Sequence, residues 1–313
     1  MIKTVNLGKQ YGDFWAVRDL SINLRGGEIY GFLGPNGAGK TTTILMILSI
    51  LRPTMGHINL FGERLNGSRV EIRSRIGVVS EKQYFYPEMT MREYLDFFGE
   101  LYQVRNRRQR IGELAERVEL ANVLDKRIGA FSRGMQQKVG FVRALLHEPE
   151  LLILDEPVSG LDPMGIRQVR GLIEEENKRG KTVFISSHLL SEIEKLCDRV
   201  AIMNNGRLLA EDRMENLVRR LTEESELDIE LAEGKPQAVE ELEGLDFING
   251  VSIDGKFLRV KVKTDRDYRL DVVQKLISRG HVPVGIQVRS MSFEEAFVTI
   301  TKENISLLAK VES

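Results

Sequence analysis

Residues Gly34 to Thr43 read "GPNGAGKTTT" and follow a short apolar run, "EIYGFL" (Glu28 to Leu33). Gly34, Gly39, Lys40 and Thr41 fill every fixed position of the pattern G-x-x-x-x-G-K-[ST]. The residue types explain the chemistry. Glycines let the backbone wrap phosphate oxygens and turn its N–H groups inward. A helix that begins at the loop aims its positive end at the anion. The lysine reaches the outer phosphates, and the threonine hydroxyl can ligate Mg2+. A mere glycine-rich turn is the plain alternative. A strand before the loop, a helix after it and a complete pattern speak against that.

A second motif tests the first. Mg2+ on a phosphate also needs a carboxylate, usually at the end of a neighbouring buried strand. "LLILDEP" (Leu151 to Pro157) provides it. Asp155 is placed to hold the metal, directly or through water, and Glu156 to accept a proton from an attacking water.

Composition sets the bounds. A chain of 313 residues suggests roughly two domains. Hydrophobic residues make up 42% and charged residues 29%, the balance of a globular protein with a sizeable core. A net charge of -1 gives no electrostatic reason to expect nucleic acid as a partner. The single cysteine, Cys197, excludes an internal disulfide, fits a reducing compartment and reads as core. The first residues show no signal-peptide pattern. No apolar run nears the roughly 20 residues of a membrane span, so any membrane function requires another chain to cross.

The chain divides by pattern. Residues 1 to about 30 read as short strands, and Lys40 to Leu51 as a helix apolar almost all round. Residues 87 to 147 are mainly helical, with the basic run "RNRRQR" (105 to 110) as a solvated face. Asp162-Pro163 supplies an N-cap and a first-turn proline for a helix with Ile166, Val169, Leu172 and Ile173 along one stripe. Strand, helix and strand in repetition imply a parallel sheet with helices on its faces. After about residue 220, "LDIEL", "LRVKVK" and "VPVGIQV" alternate as half-buried strands. A helix between the last two carries Leu270, Val273, Leu276 and Ile277 on one face. The expectation is an α/β core over 1–220 and a small separate α+β domain over 221–313.

With these motifs in order, the sequence resembles the ATP-binding subunits of ABC transporters. "GPNGAGKTT" is the family's form of the loop. "FSRGMQQKVGFVRAL" (Phe131 to Leu145) is similar to its signature segment, "LLILDEPVSGLDP" joins the Mg2+-site strand to the D-loop, and "ISSHLLSEIEKLCDRV" carries the switch histidine, His188. The resemblance implies a P-loop ATPase core with a mostly parallel, RecA-like sheet, an N-terminal antiparallel β subdomain and an inserted helical subdomain at about 85–147. It implies ATP and Mg2+ bound by Gly34, Pro35, Asn36, Gly37, Ala38, Gly39, Lys40, Thr41 and Thr42, with Tyr11 stacked on adenine. Lys40, Glu156 and His188 would be catalytic, and Thr41 and Asp155 would serve the metal. Ser132, as an N-cap, and Gly134 make a second anion site at a helix start. In the family such a site binds the ATP held by the other copy of a homodimer, with Asp162 at the seam.

Two positions depart from the family. Arg133 stands where the common signature has glycine. Glu81 stands where the family usually has glutamine, with Gln83 two residues on. Glu81 is read as a metal-side residue. These departures are similar to those of a bacterial and archaeal export branch, in which the ATPase is peripheral on the inner face of the cell membrane and pairs with separate integral membrane permease subunits. The ending "VRSMSFEEAFVTITKE" (288 to 303) resembles the close of that branch's accessory domain. In the family a permease helix docks between core and helical subdomain. Here Glu81 to Pro87 and Arg127 are candidates for that groove, with "QYFYP" (83 to 87) either exposed for docking or packed within. The alternatives are a soluble ABC ATPase acting on a ribosome or DNA, and an ATP-driven dimerisation switch without transport.

Overall fold

The computed structural model describes residues 1–65, 70–221, 224–234, 236–263, 266–289 and 292–307. They form two compact units. One is Met1–Met214 together with the described residues from Thr299 onward, and the other is Glu215–Val298. Ser290 and Met291, within the closing segment read above, and residues 308–313 lie outside the described residues.

The first unit opens with β1 (Ile2–Tyr11), β2 (Phe14–Leu20), β3 (Asn23–Leu24), β4 (Ile29–Leu33), α1 (Lys40–Ile47), β5 (Met55–Leu60), β6 (Glu63–Arg64), α2 (Val70–Arg73) and β7 (Ile76–Val79). Three longer helices follow: α3 (Met91–Leu101), α4 (Arg107–Arg117) and α5 (Arg133–Leu145). The chain then alternates through β8 (Leu151–Asp155), α6 (Pro163–Lys178), β9 (Thr182–Ser187), α7 (Leu190–Leu196), β10 (Arg199–Asn204) and β11 (Arg207–Asp212).

Strands β1, β2, β3, β5 and β6 make an antiparallel sheet. The central sheet runs β11-β10-β4-β9-β8-β7, parallel except for the edge strand β11. Every residue of β4, β8 and β9 is buried, as expected of parallel strands covered on both faces. One apolar core joins both sheets and α1. Its aromatic centre is Phe184, whose ring lies 5.9 Å from Tyr30 and 5.2 Å from Phe32.

The helical segment is pinned by local chemistry. Thr90 and Glu93 close a capping box at the start of α3, and Ser132 caps α5 by accepting from the Met135 N–H. Arg143 donates to the Tyr94 hydroxyl at 2.8 Å, tying α5 to α3. In the basic run, Arg107 pairs with Asp96 and Arg110 with Glu148. The stripe of α6 extends one turn further than its apolar residues: Glu176 is buried, held by Arg117 and Lys181.

The helix expected over Lys40 to Leu51 is shorter. It ends at Ile47, because Ser49 takes a left-handed conformation (φ 55°) and turns the chain outward, leaving Ile50 exposed. At the other end of this unit, Asn204 donates to the Thr301 carbonyl and the Leu307 N–H to the Leu209 carbonyl.

The remaining elements are α8 (Met214–Leu221), β12 (Glu224–Leu231), α9 (Gln237–Leu242), β13 (Ile248–Asp254), β14 (Phe257–Lys263), α10 (Arg269–Ser278), β15 (Pro283–Arg289) and α11 (Phe293–Lys302). The sheet β13-β14-β12-β15 is antiparallel. Leu227, Ile229 and Leu231 of β12 and Leu258, Val260 and Val262 of β14 pack with Ala238, Leu242, Val272 and Leu276. Two expectations change here. The packed face of α10 is Tyr268, Val272 and Leu276, while Leu270 and Ile277 point to solvent. Strand β15 is mostly exposed rather than half buried, unlike β13 at the opposite edge of the sheet.

Replacing Phe184 by Ala removes the buried ring between Tyr30 and Phe32. The variant is expected to lose about 3–5 kcal/mol of stability, read as a lower urea midpoint at unchanged slope. A loss below about 1 kcal/mol would show that the ring stack does not anchor this core.

Candidate nucleotide-binding cleft

Four parallel strands end in register and deliver four loops to one edge. Leu33 pairs with Ser187, Asp155 with Ser186, and Val79 with Leu154. The residues just past these ends are Gly34, His188, Glu156 and the segment bearing Glu81. Ligands of parallel α/β sheets bind outside the carboxyl ends of the strands. A cleft of roughly 550 Å³ opens there.

The glycine loop forms one wall. The Ala38 N–H closes it onto the Pro35 carbonyl at 3.1 Å. Gly39, at φ 105°, is the N-cap of α1, and a side chain there would strike the Ala16 carbonyl. Position 39 therefore admits only glycine. No acidic residue stands in the first turn of α1, so its N–H groups and dipole face the cleft without a competing carboxylate.

The chemistry lies at the floor. Lys40 Nζ donates to the Gly34 carbonyl at 2.7 Å and stands 3.5 Å from Glu156 Oε1. Both side chains are buried. The other carboxylate oxygen of Glu156 is 2.8 Å from His188 Nδ1, so each oxygen is engaged. Glu156 itself sits at φ 49°, an uncommon conformation for a residue with a side chain. Its N–H lies 3.1 Å from the Ser186 carbonyl, which fixes the turn. Asp155 accepts from the Thr41 hydroxyl at 3.3 Å and from the Ser186 hydroxyl. Thr41 and Asp155, joined by that hydrogen bond, are hard oxygen donors, and Glu81 lines the cleft as a further one; that chemistry fits Mg2+, which takes one or two carboxylates and keeps several waters.

Tyr11, Pro35 to Thr42, Glu81, Glu156 and His188 all line this cleft. Ser132, Gly134 and Asp162 do not. Ser132 and Gly134 lie at the start of α5, and Asp162 caps α6 by accepting from the Gly165 N–H at 2.7 Å. The Arg133 guanidinium rests against Gly160 in the loop before Asp162. Sequence reading missed Phe14, an exposed aromatic beside Tyr11 at the mouth, and Ser186, which orients Asp155. The register of β8 with β9 is the only signal for Ser186, and it is a tertiary one. Of "QYFYP", Tyr84 and Tyr86 are exposed, whereas Phe85 packs on Tyr94 at 5.3 Å. Cys197 is buried, and burial pushes its thiol well above its ordinary range. Among the described residues, no helix is long and apolar enough to cross a membrane.

Known proteins resemble this chain. The family described as "ABC transporter" matches residues 17–159. The bacitracin transport ATP-binding protein BcrA of Bacillus licheniformis is 48% identical over 70% of this chain and 72% of its own length. An ABC transporter ATP-binding protein of Bacillus subtilis, YcbN, is 37% identical over 97% of this chain and 98% of its own. A Nod factor export ATP-binding protein of Burkholderia orbicola is 38% identical over 73% and 74%. A solved ATP-binding subunit of an ABC transporter superposes with a TM-score of 0.66 at 31% identity, covering 71% of this chain and 93% of that one. A complete phosphate loop, a paired Asp155 and Glu156 and these relatives lead to one assignment: the chain belongs to the ATP-binding proteins of ABC transporters, and it is an ATPase.

Proposed function

We propose that two copies of this chain close head to tail around two ATP molecules, reopen after hydrolysis, and so drive export through a separate membrane-spanning permease. The observation that carries this reading is a division within one chain. The phosphate loop and base line one cleft, while Ser132 and Gly134 offer a second anion-binding surface outside it. An isologous pairing brings each surface to the other's ATP and gives two equal sites.

The residues then take distinct tasks. Tyr11 and Phe14 face the adenine. The backbone of Gly37 to Thr42 and the Lys40 ammonium stabilise charge as it develops on the phosphate oxygens. Glu156 takes the proton from the attacking water, and His188 Nδ1 holds that carboxylate in place. Thr41 and Asp155, with Glu81 from the cleft lining, would hold Mg2+, whose charge offsets that of the phosphates. Asp162 lies at the dimer seam. Loss of the bridging phosphate contacts lets the dimer open.

Opening and closing bias the permease between its inward and outward states. Exposed Tyr84 and Tyr86, with Arg127 nearby in the helical segment, offer the docking surface. Export is supported by the transport and export roles printed for two of the relatives and by the separate-chain arrangement the sequence resembles. The chain would then sit peripherally on the inner face of the cell membrane, with no nucleic-acid partner.

Glu156→Gln is expected to lower steady-state Mg-ATP turnover by about 10²-fold or more while ATP binding persists, and His188→Ala to lower it by a smaller factor. Normal turnover in Glu156→Gln would remove Glu156 as the base. Affinity purification of the tagged chain from native membranes in mild detergent is expected to bring down a stoichiometric polytopic membrane protein. Recovery only from the soluble fraction, or on ribosomes or DNA, would contradict the transport reading and leave the ATPase site standing.

A further inference from the structure

Two glutamine amides outside the nucleotide cleft connect three elements. Gln83 Nε2 donates to Gln137 Oε1 at 2.8 Å, and Gln137 Nε2 donates to the Pro157 backbone carbonyl at 2.7 Å. The carbonyl can only accept, so it fixes the direction of both amides. Gln137 must turn its NH2 to Pro157 and its oxygen to Gln83, which must answer with its own NH2. This order leaves Gln83 Oε1 buried without a hydrogen-bond partner among the described residues. A buried unpaired amide oxygen is unfavourable, so the arrangement needs a compensating reason.

A second observation points to the same place. Gly140 lies inside α5, where glycine is disfavoured relative to alanine. A Cβ at Gly140 would overlap the Gln83 amide. The helix thus carries a poor helix former at the position where it must admit this side chain.

What the relay grips is the turn that bears the base. Pro157 follows directly on Glu156, which sits at φ 49°. The gripped carbonyl belongs to the Pro157–Val158 peptide, one residue past the base, and the fixed φ of proline couples its orientation to the Glu156 backbone. The Arg133 guanidinium, from the start of α5, lies against the same turn at Gly160, φ 69°. Helix α5 therefore bonds the segment from Glu156 to Asp162 at Pro157 and packs against it at Gly160, and Gln83 reaches the first of these from the loop that carries Glu81.

We infer that Gln83 is a positioning residue for ATP hydrolysis: through Gln137 it holds the Pro157 carbonyl, and by way of the conformationally fixed proline it steadies the Glu156 backbone and links it to the Glu81 loop and to α5. The inference rests on the reading of Glu156 as the base.

The test uses the full chain and Mg-ATP as substrate. Gln83→Leu and Gln137→Leu are each expected to lower kcat about tenfold, the scale of a modestly misplaced base, with KM for ATP changed less than about twofold. The double variant is expected to be no worse than the poorer single one, because a relay broken once is already broken. Gly140→Ala, which favours the helix but displaces Gln83, is expected to give the same fall in kcat without a lower melting temperature. Gln83→Glu keeps the size but cannot donate, and carries the test if the leucine variant does not fold. Any of three results would overturn the inference: kcat within twofold of the parent in both Gln83 variants, losses that multiply in the double variant, or a lower melting temperature with kcat intact. Normal turnover by Glu156→Gln is a separate result, and would overturn the assignment of the base itself.

Discussion

A parallel sheet buried on both faces leaves one place for polar chemistry, its carboxyl edge. Strands β4, β8 and β9 are buried at every residue, and their ends coincide because the strands pair in register. That registry puts Gly34, Glu156 and His188 side by side without any requirement from the loops. The burial of the strands also makes the site rigid. Asp155 is the last residue of β8, and a neighbouring hydroxyl on β9, Ser186, orients it. Glu156 is the first residue beyond, already turned into an uncommon backbone conformation and engaged on both oxygens. Electrostatic catalysis of phosphoryl transfer depends on such fixed groups more than on covalent chemistry.

The cleft takes its shape from a second source, the inserted helical segment. Helix α5 carries the signature residues at its start and the relay to Pro157 along its side. In the proposed account one helix presents an anion site outward and steadies the turn after Glu156 inward. In the proposed dimer these two functions belong to different ATP molecules, since the outward surface meets the partner's nucleotide. The two sites would then be mechanically linked through α5. The capping box at Thr90 and the Arg143–Tyr94 hydrogen bond hold the helix against its neighbours and keep that linkage short.

Much of this was legible in the sequence because it is local. The phosphate loop, the Asp155–Glu156 pair, and the caps at Ser132 and Asp162 are each set by residues within a few positions. What was not legible depends on distant partners. Glu176 reads as the polar edge of a helix, yet it is buried because Arg117 and Lys181 arrive from elsewhere. Gln83 reads only as a glutamine two residues past the family position, which Glu81 fills, and only the fold shows its amide against Gly140. Of the stripe expected for α10, Leu276 is packed as read but Leu270 and Ile277 are exposed, and Val272 packs in their place. Periodicity finds a helix but cannot say which of two adjacent apolar stripes meets a sheet.

The central claim is that one chain holds half of each of two ATP sites. Sedimentation of Glu156→Gln with saturating Mg-ATP tests it most directly, because slow hydrolysis would trap the closed state. The account predicts that the 35.6 kDa chain doubles in mass with ATP, holds two nucleotides per dimer, and stays single with ADP or when Ser132 is also replaced by a bulky residue. A chain that binds ATP fully and sediments as a monomer would contradict the shared-site account.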